Sequence, residues 1–181
     1  MENNIQFIPV TKEYKHLEEL LDIRDEAFPE NERGTDRNID MYLNIPAFSF
    51  YAIEDEGELI GFTVLLNIDK DYVFLLYLAI GQQYRNKHYG SIVIQKLFED
   101  ILNERILFGC IEALLPEASN YEQRVKRAEF YKRNNFTVLE NVFTKEPSGS
   151  FQFFCSDPEV KFETLIGKMK ALASSAKAEM K

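Results

Sequence analysis

Between an apolar run ending at Ile80 and an apolar helical stripe starting at Val93 lies the segment Gln82-Gln83-Tyr84-Arg85-Asn86-Lys87-His88-Tyr89-Gly90-Ser91. A loop that leaves the C-terminal end of a buried strand and opens a helix suits an anion. Free backbone N–H groups and the positive end of the helix dipole converge there. Arg85 and Lys87 add positive charge, and Gly90 lets a phosphate approach the backbone closely. The same residues are equally consistent with an ordinary strand-to-helix loop whose charges are solvated. A second spot is Phe130-Tyr131-Lys132-Arg133-Asn134-Asn135-Phe136, a helix end entering a strand. Phe130 and Phe136 read as core anchors, and Tyr131 is compatible with the core if its hydroxyl is satisfied locally. A third is Glu112, the one acid inside the apolar run Ile111-Glu112-Ala113-Leu114-Leu115. A carboxylate there is costly unless it has a partner or a task. It is open between a functional group, an acceptor of structural hydrogen bonds and a residue facing solvent at a sheet edge. Cys110 and Cys155 sit in apolar runs as buried thiols, and no four-ligand metal spacing exists.

The elements that must position these residues follow from periodicity and turn chemistry. A strand over residues 5–10 leads into a helix with Leu17, Leu20, Leu21, Ala27 and Phe28 on one face, stopped by Pro29. A polar segment over 30–36 precedes a short helix with Ile39, Tyr42 and Leu43 inward, ended by Pro46. Two strands, 48–53 and 58–66, flank the hairpin signal Asp55-Glu56-Gly57. Residues 72–80 carry no charge, which predicts a central strand buried on both faces. Then come a helix with Val93, Ile94, Leu97, Phe98, Ile101 and Leu102 inward, a strand over 106–115 and a charged helix over 121–134. Strands over 136–143 and 151–155 are parted by a turn around Pro147-Ser148-Gly149. A last helix follows Pro158, with Phe162, Leu165, Ile166, Met169 and Leu172 inward and a frayed end from Ser174. Strand-helix-strand units require some parallel pairing and hairpins require antiparallel pairing. The expectation is an α/β fold: a mixed, mostly antiparallel sheet of six to seven strands with helices on both faces.

Composition bounds what such a fold does. A chain of 181 residues with 45% apolar residues, eight Gly and six Pro reads as one folded domain over 1–181, with 159–181 as its C-terminal helix and tail. Net charge is -9 with no dense Lys/Arg block, which argues against nucleic acid and permits attraction of a cationic substrate. No stretch approaches transmembrane length, and residues 1–10 carry no targeting pattern, so a soluble cytoplasmic protein is expected. The Phe-rich late strands and the last helix would support a homodimer.

In this order and at these distances, the motifs resemble a known family. Tyr84-Arg85-Asn86-Lys87-His88-Tyr89-Gly90-Ser91 is similar to the acyl-CoA pyrophosphate loop of GNAT N-acyltransferases, commonly Tyr-Arg-Gly-Lys-Gly-Ile-Gly-Ser. Leu78-Ala79-Ile80 resembles the Leu-Ala-Val that ends the family's fourth strand. Residues 130–136 resemble its later Phe-Tyr-Lys-Arg-Asn-Gly-Phe, and Glu26-Ala27-Phe28-Pro29-Glu30-Asn31-Glu32-Arg33 a weaker acceptor-side pattern. The element order matches over essentially the whole chain. Asn86 and His88 stand at positions that are usually Gly, Asn135 replaces another Gly, and Arg124 stands where many members have Asn.

The resemblance implies the GNAT fold, splayed between its fourth and fifth strands, and acetyl transfer from acetyl-CoA, used as co-substrate, to a primary amine by direct attack on the thioester. It implies that Leu78, Ala79 and Ile80 hold the pantetheine arm, with an N–H near them polarising the carbonyl. Arg85, Asn86, Lys87, His88, Tyr89, Gly90 and Ser91 would hold the pyrophosphate. Tyr131 becomes the candidate acid for the CoA sulfur, and Glu112 the candidate base, direct or through water. Phe28 and Tyr77 would line the acceptor pocket, with Glu30 and Glu32 meeting a cationic acceptor; no metal is implied. Two other readings remain open: a non-catalytic acyl-CoA-binding or sensing module, and an enzyme acting on a protein amine.

Overall fold

The structure is a computed structural model that describes residues 4–30, 33, 36–145 and 149–179, apart from the side chains of 36, 37, 145 and 172–179. Along the chain run β1 (Ile5–Pro9), α1 (Leu17–Ala27), α2 (Asp36–Asn44), β2 (Phe48–Asp55), β3 (Glu58–Asn67), β4 (Tyr72–Ile80), α3 (Tyr89–Leu97), β5 (Ile106–Glu112), α4 (Tyr121–Arg133), β6 (Thr137–Lys145), β7 (Gly149–Cys155) and α5 (Phe162–Glu179). These form two compact units. One takes the residues up to Asn67 with Val73–Glu104, and the other takes Ile68–Tyr72 with the residues from Arg105 onward.

In the first unit β1, β2, β3 and β4 pair in sequence, all antiparallel. The β2–β3 hairpin closes through Glu56 (φ 52°) and Gly57 (φ 85°), two left-handed residues whose twist matches the strands they join. α1 stops where expected: Phe28, the residue before Pro29, is extended at φ -127° and ψ 135°. Leu20 and Ile23 of α1 and Tyr42 of α2 pack on Phe50, Ala52, Phe62 and Val64 in one apolar cluster. Ile53, which points away from that layer by strand alternation, is fully enclosed. α3 lies against β1 and buries Val93, Ile94 and Leu97. Its continuation over Phe98–Leu102 is π-helical, with Asn103 (φ 55°) ending it, a detail periodicity did not foretell.

β4 differs from expectation in one respect. Val73, Phe74, Leu75 and Ala79 are buried, but Leu76, Tyr77, Leu78 and Ile80 are only partly so. The pairing passes from Val64↔Tyr77 to Leu65↔Leu75 and skips Leu76. Such a bulge re-aims the residues beside it.

In the second unit the order is β5-β7-β6, again antiparallel. β5 ends at Glu112, three residues before the apolar run does; Ala113 continues it only through its N–H to Ser150 O (2.9 Å). Phe153 stacks on Phe143 (4.5 Å) and meets Phe162 of α5 (5.7 Å). The expected turn over 147–149 and the inward Leu172 fall largely outside the described residues. α5 is helical through Glu179.

Candidate active site

The segment after β4 is built by local hydrogen bonds. Gly81 N–H bonds Ile60 O (2.9 Å), and a single 3-10 turn over Gln82–Tyr84 closes through Tyr84 N–H to Gly81 O and Arg85 N–H to Gln82 O (2.9 and 3.2 Å). Asn86 (φ 60°) and His88 (φ 64°) are then left-handed on either side of Lys87. The His88 carbonyl accepts from Ser91 and Ile92 (3.1 and 3.2 Å), which starts α3. The amides of Asn86, Lys87 and His88 have no partner among the described residues, and those of Tyr89 and Gly90 precede the first intrahelical bond. Successive unpartnered N–H groups in alternating conformations at a helix start make an anion-binding concavity. The two positions where Gly was missed thus adopt the backbone that Gly would have given.

Its side chains are exposed from Arg85 to His88. Lys87 Nζ lies 5.9 Å over the Tyr84 ring, and Arg85 Nε donates to Ile80 O (2.8 Å), tying the cation to the strand end. Two tethers invisible in the sequence reach the β2–β3 hairpin. Tyr89 OH donates to Asp55 Oδ2 at 2.7 Å, and Tyr84 OH reaches Glu58 Oε2 at 3.5 Å. The bond to Asp55, with burial and the hairpin's negative charge, raises the Tyr89 phenol above its ordinary pKa.

The expected acceptor-side residues gather only in part. Phe28 meets Tyr77 edge-on at 5.0 Å and Phe62 at 6.3 Å, and Tyr42 meets Tyr77 at 6.1 Å. Burial first, then the neighbouring Tyr77, pushes the Tyr42 phenol above its ordinary value. Thr63 Oγ1 holds the Tyr77 carbonyl at 2.9 Å. Glu30 is exposed, and Glu32 lies outside the described residues. Sequence reading missed Arg24, which is buried at 8% exposure. Its signal was present: Arg24 falls on the apolar stripe, four residues after Leu20 and four before Phe28.

In the second unit, Tyr131 sits in the last turn of α4. Its ring stacks on Phe154 at 3.6 Å and meets Phe136 edge-on at 5.6 Å. The hydroxyl has no hydrogen-bond partner among the described residues. Burial raises its pKa, against the pull of Arg127, so the phenol stays protonated at neutral pH. Glu112 is held by Arg124 (3.0 Å), Arg127 (3.1 Å) and Asn120 Nδ2 (3.1 and 3.3 Å) and is 17% exposed. Arg124 also donates to Asn120 Oδ1 (2.7 Å) and Ala113 O (2.8 Å). Of the alternatives open for Glu112, the geometry supplies the acceptor of structural hydrogen bonds. Arg124 accordingly ties the start of α4 to the end of β5.

Among the described residues no group of three or more His, Cys, Asp and Glu side chains is placed to hold a metal ion, and no helix is long and apolar enough to cross a membrane. The acetyltransferase (GNAT) family model matches residues 17–136. No curated protein matches the chain. Solved structures do. A protein of Bacteroides thetaiotaomicron described as a GNAT acetyltransferase superposes with a TM-score of 0.77 at 22% identity, over 93% of this chain and 97% of that one. An aminoglycoside 6'-N-acetyltransferase complexed with coenzyme A gives 0.63 at 15% identity, over 87% and 99%. A GNAT acetyltransferase from Elizabethkingia anophelis with acetyl-CoA bound gives 0.62 at 15% identity, over 86% and 99%. The fold expected from the motifs is the fold found, and with two thirds of its length matched by the family model, this chain belongs to the GNAT family of acetyltransferases.

Proposed function

We propose that the protein transfers an acetyl group from acetyl-CoA to the nitrogen of a primary amine by direct attack on the thioester. The observation that carries this reading is the row of unpartnered amides from Asn86 to Gly90 at the start of α3, shaped by two left-handed residues. It fits a pyrophosphate by donor count and by charge. Solved relatives of the same fold carry coenzyme A or acetyl-CoA, which supports the choice of anion.

In this reading the amides of 86–90, with Lys87 and Arg85, bind the pyrophosphate, and the half-buried backbone at Leu78 and Ile80 receives the pantetheine arm. The amine lone pair forms the C–N bond and the C–S bond breaks, its electrons passing to sulfur. Tyr131, protonated and without another acceptor, gives its proton to that sulfur. For the amine's own proton, the two guanidiniums and the Asn120 amide compete for the lone pairs of Glu112. We therefore assign Glu112 the anchoring of Arg124 and Arg127, and leave the amine's proton to water.

The test is free CoA released from acetyl-CoA across a panel of amines, with wild type beside Tyr131→Phe and Glu112→Gln. Amine-dependent release is expected, falling about 10²- to 10⁴-fold in Tyr131→Phe while acetyl-CoA affinity holds. Glu112→Gln is expected to lower the melting temperature and leave the pH profile of kcat/KM unshifted; loss of a pH limb would make it the base. Acetyl-CoA binding with no release for any amine would favour a non-catalytic binding module. Release with peptides alone would favour a protein amine.

A further inference from the structure

Arg24 is a buried cation with one nitrogen left over. Nε and Nη2 both bond Asp25 Oδ1 at 2.7 Å, and Arg33 Nη1 lies 3.4 Å from Asp25 Oδ2. That side of the guanidinium faces the surface, since the Asp25 side chain is 43% exposed. Nη1 is buried and has no hydrogen-bond partner among the described residues. A buried donor without an acceptor is costly, more so when it is charged, and such groups are rare in native folds. Its surroundings are those of the acceptor-side cluster. Arg24 shares a stripe of α1 with Phe28, which packs on Tyr77, and Tyr77 in turn meets Tyr42. Phe28 and Tyr77 are half-buried, so the open side of the cluster lies one helical turn from the orphan nitrogen.

We infer that Arg24 Nη1 and the Tyr42–Tyr77 hydroxyl pair receive a carboxylate, so that the acceptor amine is an amino acid or another primary amine carrying a carboxylate. This rests on the acyl-transfer reading above and narrows it. One carboxylate oxygen would complete the guanidinium and the other would accept from a phenol. The ring walls of Phe28 and Tyr77 would exclude water and strengthen both bonds. Among the described residues, the carboxylate bonded to Arg24, that of Asp25, is already shared between Arg24 and Arg33, which leaves a wholly cationic amine less to pair with there.

The experiment compares amino acids with the amines that differ only by loss of the carboxylate: lysine with cadaverine, ornithine with putrescine, tyrosine with tyramine. It measures kcat/KM for CoA release and, separately, calorimetric binding of the same compounds to the protein loaded with acetyl-CoA. The expected result is a preference for the carboxylate-bearing member of at least about tenfold, the scale of a charged hydrogen bond. In Arg24→Met the preference should collapse toward unity, while acetyl-CoA affinity is unchanged. Equal or better use of the decarboxylated amines, or a preference that survives in Arg24→Met, would overturn the inference and leave Nη1 a water site. Binding of amino acids that Arg24→Met abolishes, with no CoA released, would uphold the inference and remove the transferase reading. Absence of both binding and turnover for every amino acid would overturn the inference alone if other amines are acetylated.

Discussion

Gly61 marks a place where the smallest side chain is a geometric requirement. It pairs with Ile80 at the end of β4, and a Cβ added there would lie 2.2 Å from the Ala79 carbonyl oxygen, a backbone atom that cannot swing aside. Gly61→Ala should therefore push β3 and β4 apart where β4 hands over to the anion-binding loop. We expect a loss of about 1–3 kcal/mol or more in stability. Acetyl-CoA affinity should weaken with it, read by denaturant unfolding and calorimetry on the same samples. A variant as stable as wild type would mean that the strands tolerate a wider spacing at this point. Asn86 and His88 teach the opposite lesson, since both adopt at φ 60° and 64° the conformation that Gly favours. Departure from the glycine pattern is thus a change of residue without a change of backbone shape, which Asn accommodates more readily than most.

At the scale of elements, the loop before α3 is held by another element. The Tyr89–Asp55 bond and the longer Tyr84–Glu58 contact fix it to the β2–β3 hairpin, so the hairpin sets where the free amides point. Tyr89→Phe keeps the ring and removes the 2.7 Å bond. The expected outcome is a several-fold rise in the acetyl-CoA Kd with little change in kcat at saturation. An unchanged Kd would show that the helix start alone shapes the loop. These tethers also show where the sequence was silent. The loop itself was legible because strand end, cations and helix start are contiguous in the chain. Asp55 lies 34 residues before Tyr89, and nothing local couples them. For the same reason the partners of Glu112 were hidden: Arg127 is 15 residues away, and only folding brings α4 back over the end of β5. The strands and helices were legible nearly throughout, since each has a turn signal or a helix stop beside it. What periodicity could not supply was the bulge at Leu76 and the π-helical end after α3, where hydrogen bonds rather than apolar spacing decide the backbone.

For the molecule as a whole, net charge and chemistry pull in different directions. A protein with net charge -9 would bind a polyanion only where its own field is locally reversed, and on the acyl-CoA reading the row of amides with Arg85 and Lys87 would be that place. The same charge makes copies repel one another at long range. Repulsion vanishes near the sequence pI of about 4.9, so light scattering against pH should show a solubility minimum there. A minimum found instead near neutrality would point to an apolar cause of association.

β6 sets the terms of such association. It is the outer strand of β5-β7-β6, and between Val138↔Phe154 and Val142↔Gln152 three of its residues stand opposite one of β7. Gln152 Nε2 fills the gap by bonding Leu139 O at 2.9 Å, while Glu140 and Asn141 face solvent beside Val142, itself 47% exposed. A kinked and charged border cannot template a regular ladder for an incoming chain. Crowding or partial unfolding of its neighbours would therefore not readily recruit this border into growing fibrils, and a second copy of the protein would have to add elsewhere than along β6.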